Sequence, residues 1–75
     1  MERGFIIRNH VRKVRVQRGL TQQALADAIG VTRQTIGLIE VERYNPTLAL
    51  AFRMARILEV RVDELFSLEE MADGQ

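Results

Sequence analysis

Apolar residues recur along the chain at intervals of three and four, the spacing that lines one face of an α-helix. Ile7, Val11 and Val14 outline a first helix ending near Arg18, with Gly19 as its stop. A second helix starts at Thr21, turns Leu25, Ala26 and Ile29 inward, and stops at Gly30. A third starts at Thr32 and buries Ile36 and Ile39. The "NPT" step at Asn45, Pro46 and Thr47 breaks the chain, and Thr47 opens a fourth helix with Leu48, Ala51, Phe52, Ala55 and Leu58 inward. A short fifth helix begins near Asp63 and carries Leu65 and Phe66. Threonine at three starts can accept a hydrogen bond from an orphan backbone N–H, and glycine at two ends permits a left-handed turn.

Two features do not fit a purely inward pattern. On the third helix, Arg33, Gln34, Gly37, Leu38 and Val41 lie on or beside the face opposite Ile36 and Ile39. A glycine there costs about 1 kcal/mol relative to alanine. Either a ligand gains from a bare backbone at Gly37, or the position merely tolerates it. On the fourth helix, Leu50, Met54 and Ile57 form a second apolar stripe off the Leu48/Ala55 side. The end of the chain, "SLEEMADGQ", is polar enough to fray, although Phe66, Ser67 and Leu68 alternate as a strand would and could pair with "FII" at residues 5–7.

Length then bounds the answer. Seventy-five residues make one domain (core 7–66, with 67–75 a partly frayed acidic tail) that buries only roughly 60–65% of its unfolded surface. Such chains usually add disulfides, a metal or a partner subunit. With no cysteine and one histidine, His10, the first two are excluded, which leaves association. No apolar run reaches the ~20 residues of a membrane span, and the start has too short an apolar stretch for a signal peptide. A soluble, cytoplasmic protein is expected. Net charge is +1, but residues 1–33 carry +5 and residues 34–75 carry −4. Such asymmetry points to a polyanionic partner on one side, or to a dipolar, inert surface. An enzyme is not expected: His10 has no nucleophile or carboxylate at a recognisable spacing, and there is no phosphate loop.

Gln22, Ala26, Gly30, Ile36 and Ile39 occupy the first, fifth, ninth, fifteenth and eighteenth positions of an eighteen-residue window. With "GLTQ" before and "IE…RYNPTLxLA" after, this resembles the helix-turn-helix of phage repressors and Cro proteins, the XRE-type family. Each position has a mechanical reason: Ala26 is small where the next helix crosses, Gly30 takes the positive φ of the corner, and Ile36 and Ile39 bury the underside of the second helix of the motif. The resemblance runs from Ile7 to Phe66. It implies an all-α, five-helix lambda-repressor-like DNA-binding domain with a central helix-turn-helix. A small β-ribbon from the termini, known in some short regulators of the family, is left open.

The resemblance also implies roles. The function would be sequence-specific binding of double-stranded DNA by a transcriptional regulator, a repressor acting as a homodimer on a palindromic operator. The alternative is a protein-interaction module of the same fold, an antitoxin or accessory subunit. The base-contact set would be Arg33, Gln34, Gly37 and Leu38, with the arginine fork matching guanine and the glutamine amide matching adenine. Phosphate contacts would come from Thr21, Gln22, Thr32, Thr35, Arg43 and Tyr44, although Tyr44 could instead pack against the domain. Arg15 and Glu40 match an internal ion pair. Ile57, Leu65, Phe66 and Leu68 would lie at a two-fold interface, since such proteins pair copies on half-sites about 34 Å apart. No cofactor, metal, membrane or small-molecule ligand is implied. One departure stands out: the family commonly has a glycine where this chain has Glu42. That residue must either adopt left-handed geometry or send the following loop along another path.

Overall fold

The computed structural model describes residues 4–71. Strand β1 (Phe5–Asn9) is followed by helices α1 (Val11–Gln17), α2 (Gln22–Ile29), α3 (Arg33–Glu40), α4 (Leu48–Leu58) and α5 (Val62–Leu65), and strand β2 (Phe66–Glu70) returns beside β1. The three threonines cap as their positions require. Thr21 Oγ1 accepts from the Ala24 N–H at 3.0 Å, Thr32 Oγ1 from Thr35 at 3.2 Å and Thr47 Oγ1 from Leu50 at 3.1 Å. Gly30 closes α2 with φ 78°. A Cβ there would meet nothing nearer than Arg53 Nη2 at 3.8 Å, so the backbone angle, not space, demands glycine.

The core is one cluster fed by every helix: Val11 and Val14 from α1, Leu25, Ala26 and Ile29 from α2, Ile36 and Ile39 from α3, Leu50, Met54, Ala55 and Leu58 from α4, and Leu65 from α5. Ala26 is fully buried where α3 crosses α2. Arg18 caps the far end of α4, its Nε donating to the Leu58 carbonyl at 2.7 Å and its Nη2 to Glu59 at 3.1 Å. A cation at a helix C-terminus also suits the helix dipole.

Three expectations from periodicity are corrected. Ile7 lies in β1, not in α1, which starts at Val11. The chain after Phe66 does not fray at once: Ser67 to Glu70 complete β2, antiparallel to β1, with Ile7 opposite Leu68 and Asn9 opposite Phe66. Residues 72–75 of the expected frayed tail lie outside the described residues. On α4 the inward face is rotated: Ala51, Ala55 and Leu58 are buried as expected, but Leu48 and Phe52 are 72% and 57% exposed while Leu50 and Met54 are buried. The helix has two apolar stripes sharing Ala51, Ala55 and Leu58, and spacing alone cannot say which one α2 and α5 will cover. Among the described residues no helix is long and apolar enough to cross a membrane.

Candidate nucleic-acid interface

Helix α3 stands half out of the domain. Ile36 and Ile39 anchor it in the core, and the Thr32 cap fixes where its first turn begins. Arg33 and Gln34 on that turn are exposed, Leu38 is 39% exposed one turn on, and Gly37 lies between them at the edge. Arg33, Gly37 and Val41 line one cleft with Thr21, Gln22 and Gln23 of the α2 start and with Arg12 of α1. Sequence reasoning missed Arg12 and Gln23. The signal available was the positive excess over residues 1–33, which does not say which cations stay solvated.

A polar chain runs beneath this cleft. Glu40 Oε2 accepts from Arg15 Nε at 2.7 Å, with side-chain exposures of only 10% for Arg15 and 4% for Glu40. Arg15 Nη1 also donates to the Leu20 carbonyl at 2.8 Å. Glu40 Oε1 accepts from Gln22 Nε2 at 2.9 Å, and the Gln22 oxygen in turn faces Arg33 Nη1 at 3.4 Å. Gln22, expected as a phosphate contact, thus spends one amide hydrogen on Glu40 and has the other to donate. Thr32 and Thr35 share a hydroxyl contact of 3.0 Å at the head of α3.

Past α3, Glu42 takes φ 63°. It therefore takes the left-handed geometry expected where the family commonly has glycine, at a cost of about 1 kcal/mol. The Arg43 N–H donates to the Leu38 carbonyl at 2.9 Å, and the side chains of Arg43 and Tyr44 project into solvent, Tyr44 being 44% exposed. The titration shifts that stand out lie away from the cleft. Hydrogen bonds that Arg8 donates to Glu69 and then Glu42 favour its charged form, and Arg61 holds the Asp63 carboxyl below its ordinary range. Among the described residues no cluster of His, Cys, Asp or Glu could hold a metal.

Of the four expected interface residues, Leu65 is fully buried. Leu68 and Phe66 lie on one face of the ribbon with Phe5 and Ile7. Ile57 is exposed, but about 180° around α4 from Leu48. The four residues therefore do not form one surface.

Comparison with known proteins gives a consistent result. A helix-turn-helix family model (HTH_3) matches residues 11–65. An HTH-type transcriptional regulator of Methanothermobacter thermautotrophicus is 46% identical over 65 residues, covering 85% of this chain and 94% of the relative. One from Archaeoglobus fulgidus is 39% identical over 64 residues, covering 85% and 91%. The crystal structure of the restriction-modification controller protein C.AhdI from Aeromonas hydrophila superposes with a TM-score of 0.68 at 30% identity, over 72% of this chain and 82% of that one. A protein from Bacteroides fragilis, at 22% identity and a TM-score of 0.78 over 83% of this chain and all of its own, shares the fold.

Proposed function

The chain belongs to the helix-turn-helix family of DNA-binding transcriptional regulators, a family that is not an enzyme class, and from that premise we propose that it represses transcription as a homodimer on a palindromic operator. It acts as one domain. α3 enters the major groove, Arg33 and Gln34 read base edges from its first turn, Leu38 packs on a thymine methyl, and Gly37 lets a strand approach closely. Thr21, Gln22, Thr32, Thr35, Arg43 and Tyr44 hold phosphates, joined by Arg12 across the same cleft. The observation that carries this reading is the division of α3 itself, with Ile36 and Ile39 fully buried and Arg33, Gln34 and Leu38 open to solvent, Arg33 lining the cleft shared with the α2 start.

The protein-interaction alternative draws on a second exposed face. Ile7, Leu48, Val62 and Phe66 line a groove that continues past Phe52, with Leu68 opposite Ile7 and Phe5 beside them. Phe5, Leu48, Phe52 and Leu68 are each more than half exposed, and a contiguous apolar patch of this kind marks an interaction site. We assign the face to a second copy of this chain. Its rim carries both signs, Arg56 and Arg61 against Asp63. A two-fold contact needs such self-complementarity.

Selection from a random duplex pool tests the proposal. Arg33→Ala and Gln34→Ala should each lose about 1–3 kcal/mol on the selected site and relax preference at one base pair per half-site. Equal losses on selected and scrambled DNA would remove both residues from base reading. No binding to any duplex at low salt would overturn the DNA-binding reading and favour the interaction module.

A further inference from the structure

Glu42 is an anomaly on two counts. It holds a left-handed backbone that glycine would hold without strain, and it places a carboxylate next to Arg43, where a DNA phosphate would be repelled. Its side-chain contacts resolve both. Oε1 accepts from Arg8 Nη1 at 2.9 Å, and Oε2 accepts from the Asn9 N–H at 3.2 Å. Arg8 reaches back across the ribbon, its Nε donating to Glu69 Oε1 at 3.0 Å. Asn9 completes the clasp: its Nδ2 donates to the Ile39 carbonyl near the end of α3 at 2.8 Å, and its Oδ1 accepts from the Val11 N–H that opens α1 at 3.2 Å.

We infer that Glu42 is a positioning residue for DNA binding, clamping the loop that bears Arg43 and Tyr44 to the β1–β2 ribbon. The geometry carries this. One carboxylate ties the end of the recognition helix to β1, and Arg8 both neutralises it and ties it to β2. Strand alternation puts Arg8 and Glu69 on the ribbon face opposite Phe5, Ile7 and Leu68. The ion pairs that hold the loop thus leave Leu68 free for the second copy, while Phe5 and Ile7 also lie along the loop at Glu42 and Asn45. The inference rests on the DNA-binding reading above and adds that the loop is held from outside the helix-turn-helix.

The test has one arm without DNA and one with it. Hydrogen exchange is measured at the Arg43 amide, which donates to Leu38, in the unmodified full chain, in Glu42→Gly and in Arg8→Ala. Glu42→Gly removes the clamp while suiting the backbone. Exchange at Arg43 should rise about tenfold in both variants, with protection at Ile36 and Ile39 retained, and Glu42→Gln should fall between. Unchanged exchange in both variants overturns the clamp, whether or not the chain binds DNA. On selected duplex, Arg43→Ala should cost about tenfold in the native background and under threefold in Glu42→Gly, because the arginine is no longer held in place. The same substitution should flatten the salt dependence by about 0.9 for each phosphate that Arg43 neutralises. Equal costs in the two backgrounds would mean that Glu42 does not position Arg43. Failure of the unmodified chain to bind duplex would sink the DNA reading while the exchange arm still decides the clamp.

Discussion

Replacing Gly37 with alanine should stabilise the protein and weaken its grip on DNA. Gly37 sits in the middle of α3, one turn past the Thr32 cap, and its φ is not among the positive ones. An added Cβ would meet nothing nearer than Gln22 Nε2, at 3.9 Å, which is ordinary contact with the end of a flexible side chain. The fold itself therefore has no use for glycine here. Alanine at such a site should add about 0.5–1 kcal/mol, which at roughly 4–8 °C per kcal/mol for a domain of this size raises Tm by about 4 °C. The same methyl points into the cleft shared with Arg12, Gln22 and Arg33. If DNA fills that cleft, affinity for the selected site should fall at least tenfold, about 1.4 kcal/mol. Melting by circular dichroism and titration by fluorescence anisotropy read the two effects on one sample. Opposite signs are the signature. A stabilised variant with unchanged affinity would put Gly37 away from the duplex, and a lowered Tm would show that the space beside it is not free.

The buried pair gives the largest expected stability effect: among the described residues Glu40→Ala leaves Arg15 with the Leu20 carbonyl alone and should cost about 3–5 kcal/mol, and a loss of stability under about 1 kcal/mol would mean that water replaces the carboxylate. For the dimer, light scattering at micromolar concentration should give twice the chain mass, with Leu48→Asp or Phe52→Asp yielding monomers and Ile57→Asp leaving the dimer intact. Monomers from Ile57→Asp alone would move the interface to the other side of α4. Arg12→Ala should weaken binding to all duplexes alike and lower the salt slope by about 0.9 for each phosphate that Arg12 neutralises, whereas a changed sequence preference would make Arg12 a base reader.

Sequence made the helix-turn-helix legible because its constraints are local. Gly30 must turn a corner, Ala26 must be small beneath a crossing, and each threonine caps its own helix; none depends on the rest of the chain. The inward face of α4 is illegible for the converse reason. Leu48 and Phe52 satisfy helical spacing as well as Leu50 and Met54 do, and only the docking of α2 and α5 decides between them. Ile7 is a similar case: residues 5–9 form a strand because β2 returns from the other end of the chain to pair with them. Leu65 looks available to a partner because α5 is one turn long, yet that turn drives its leucine wholly into the core.

Formal charge misleads in a more instructive way. The +5 of residues 1–33 suggests a broadly basic surface, but three of those arginines are engaged inside the molecule. Arg18 caps α4, Arg15 neutralises Glu40, and Arg8 neutralises Glu42. The two carboxylates matter because they stand at and just past the end of α3, the helix proposed to enter the groove. Unpaired, each would repel a phosphate across a distance at which solvent screening is incomplete. Both are met by an arginine from outside the helix-turn-helix, one on α1 and one on β1. Two of the seven positive charges of residues 1–33 therefore cancel acids at α3 and its loop, a third caps α4, and among the described residues Arg12, Lys13 and Arg33 remain exposed for a polyanion. The number of free cations, not the net charge, should set the salt slope of binding.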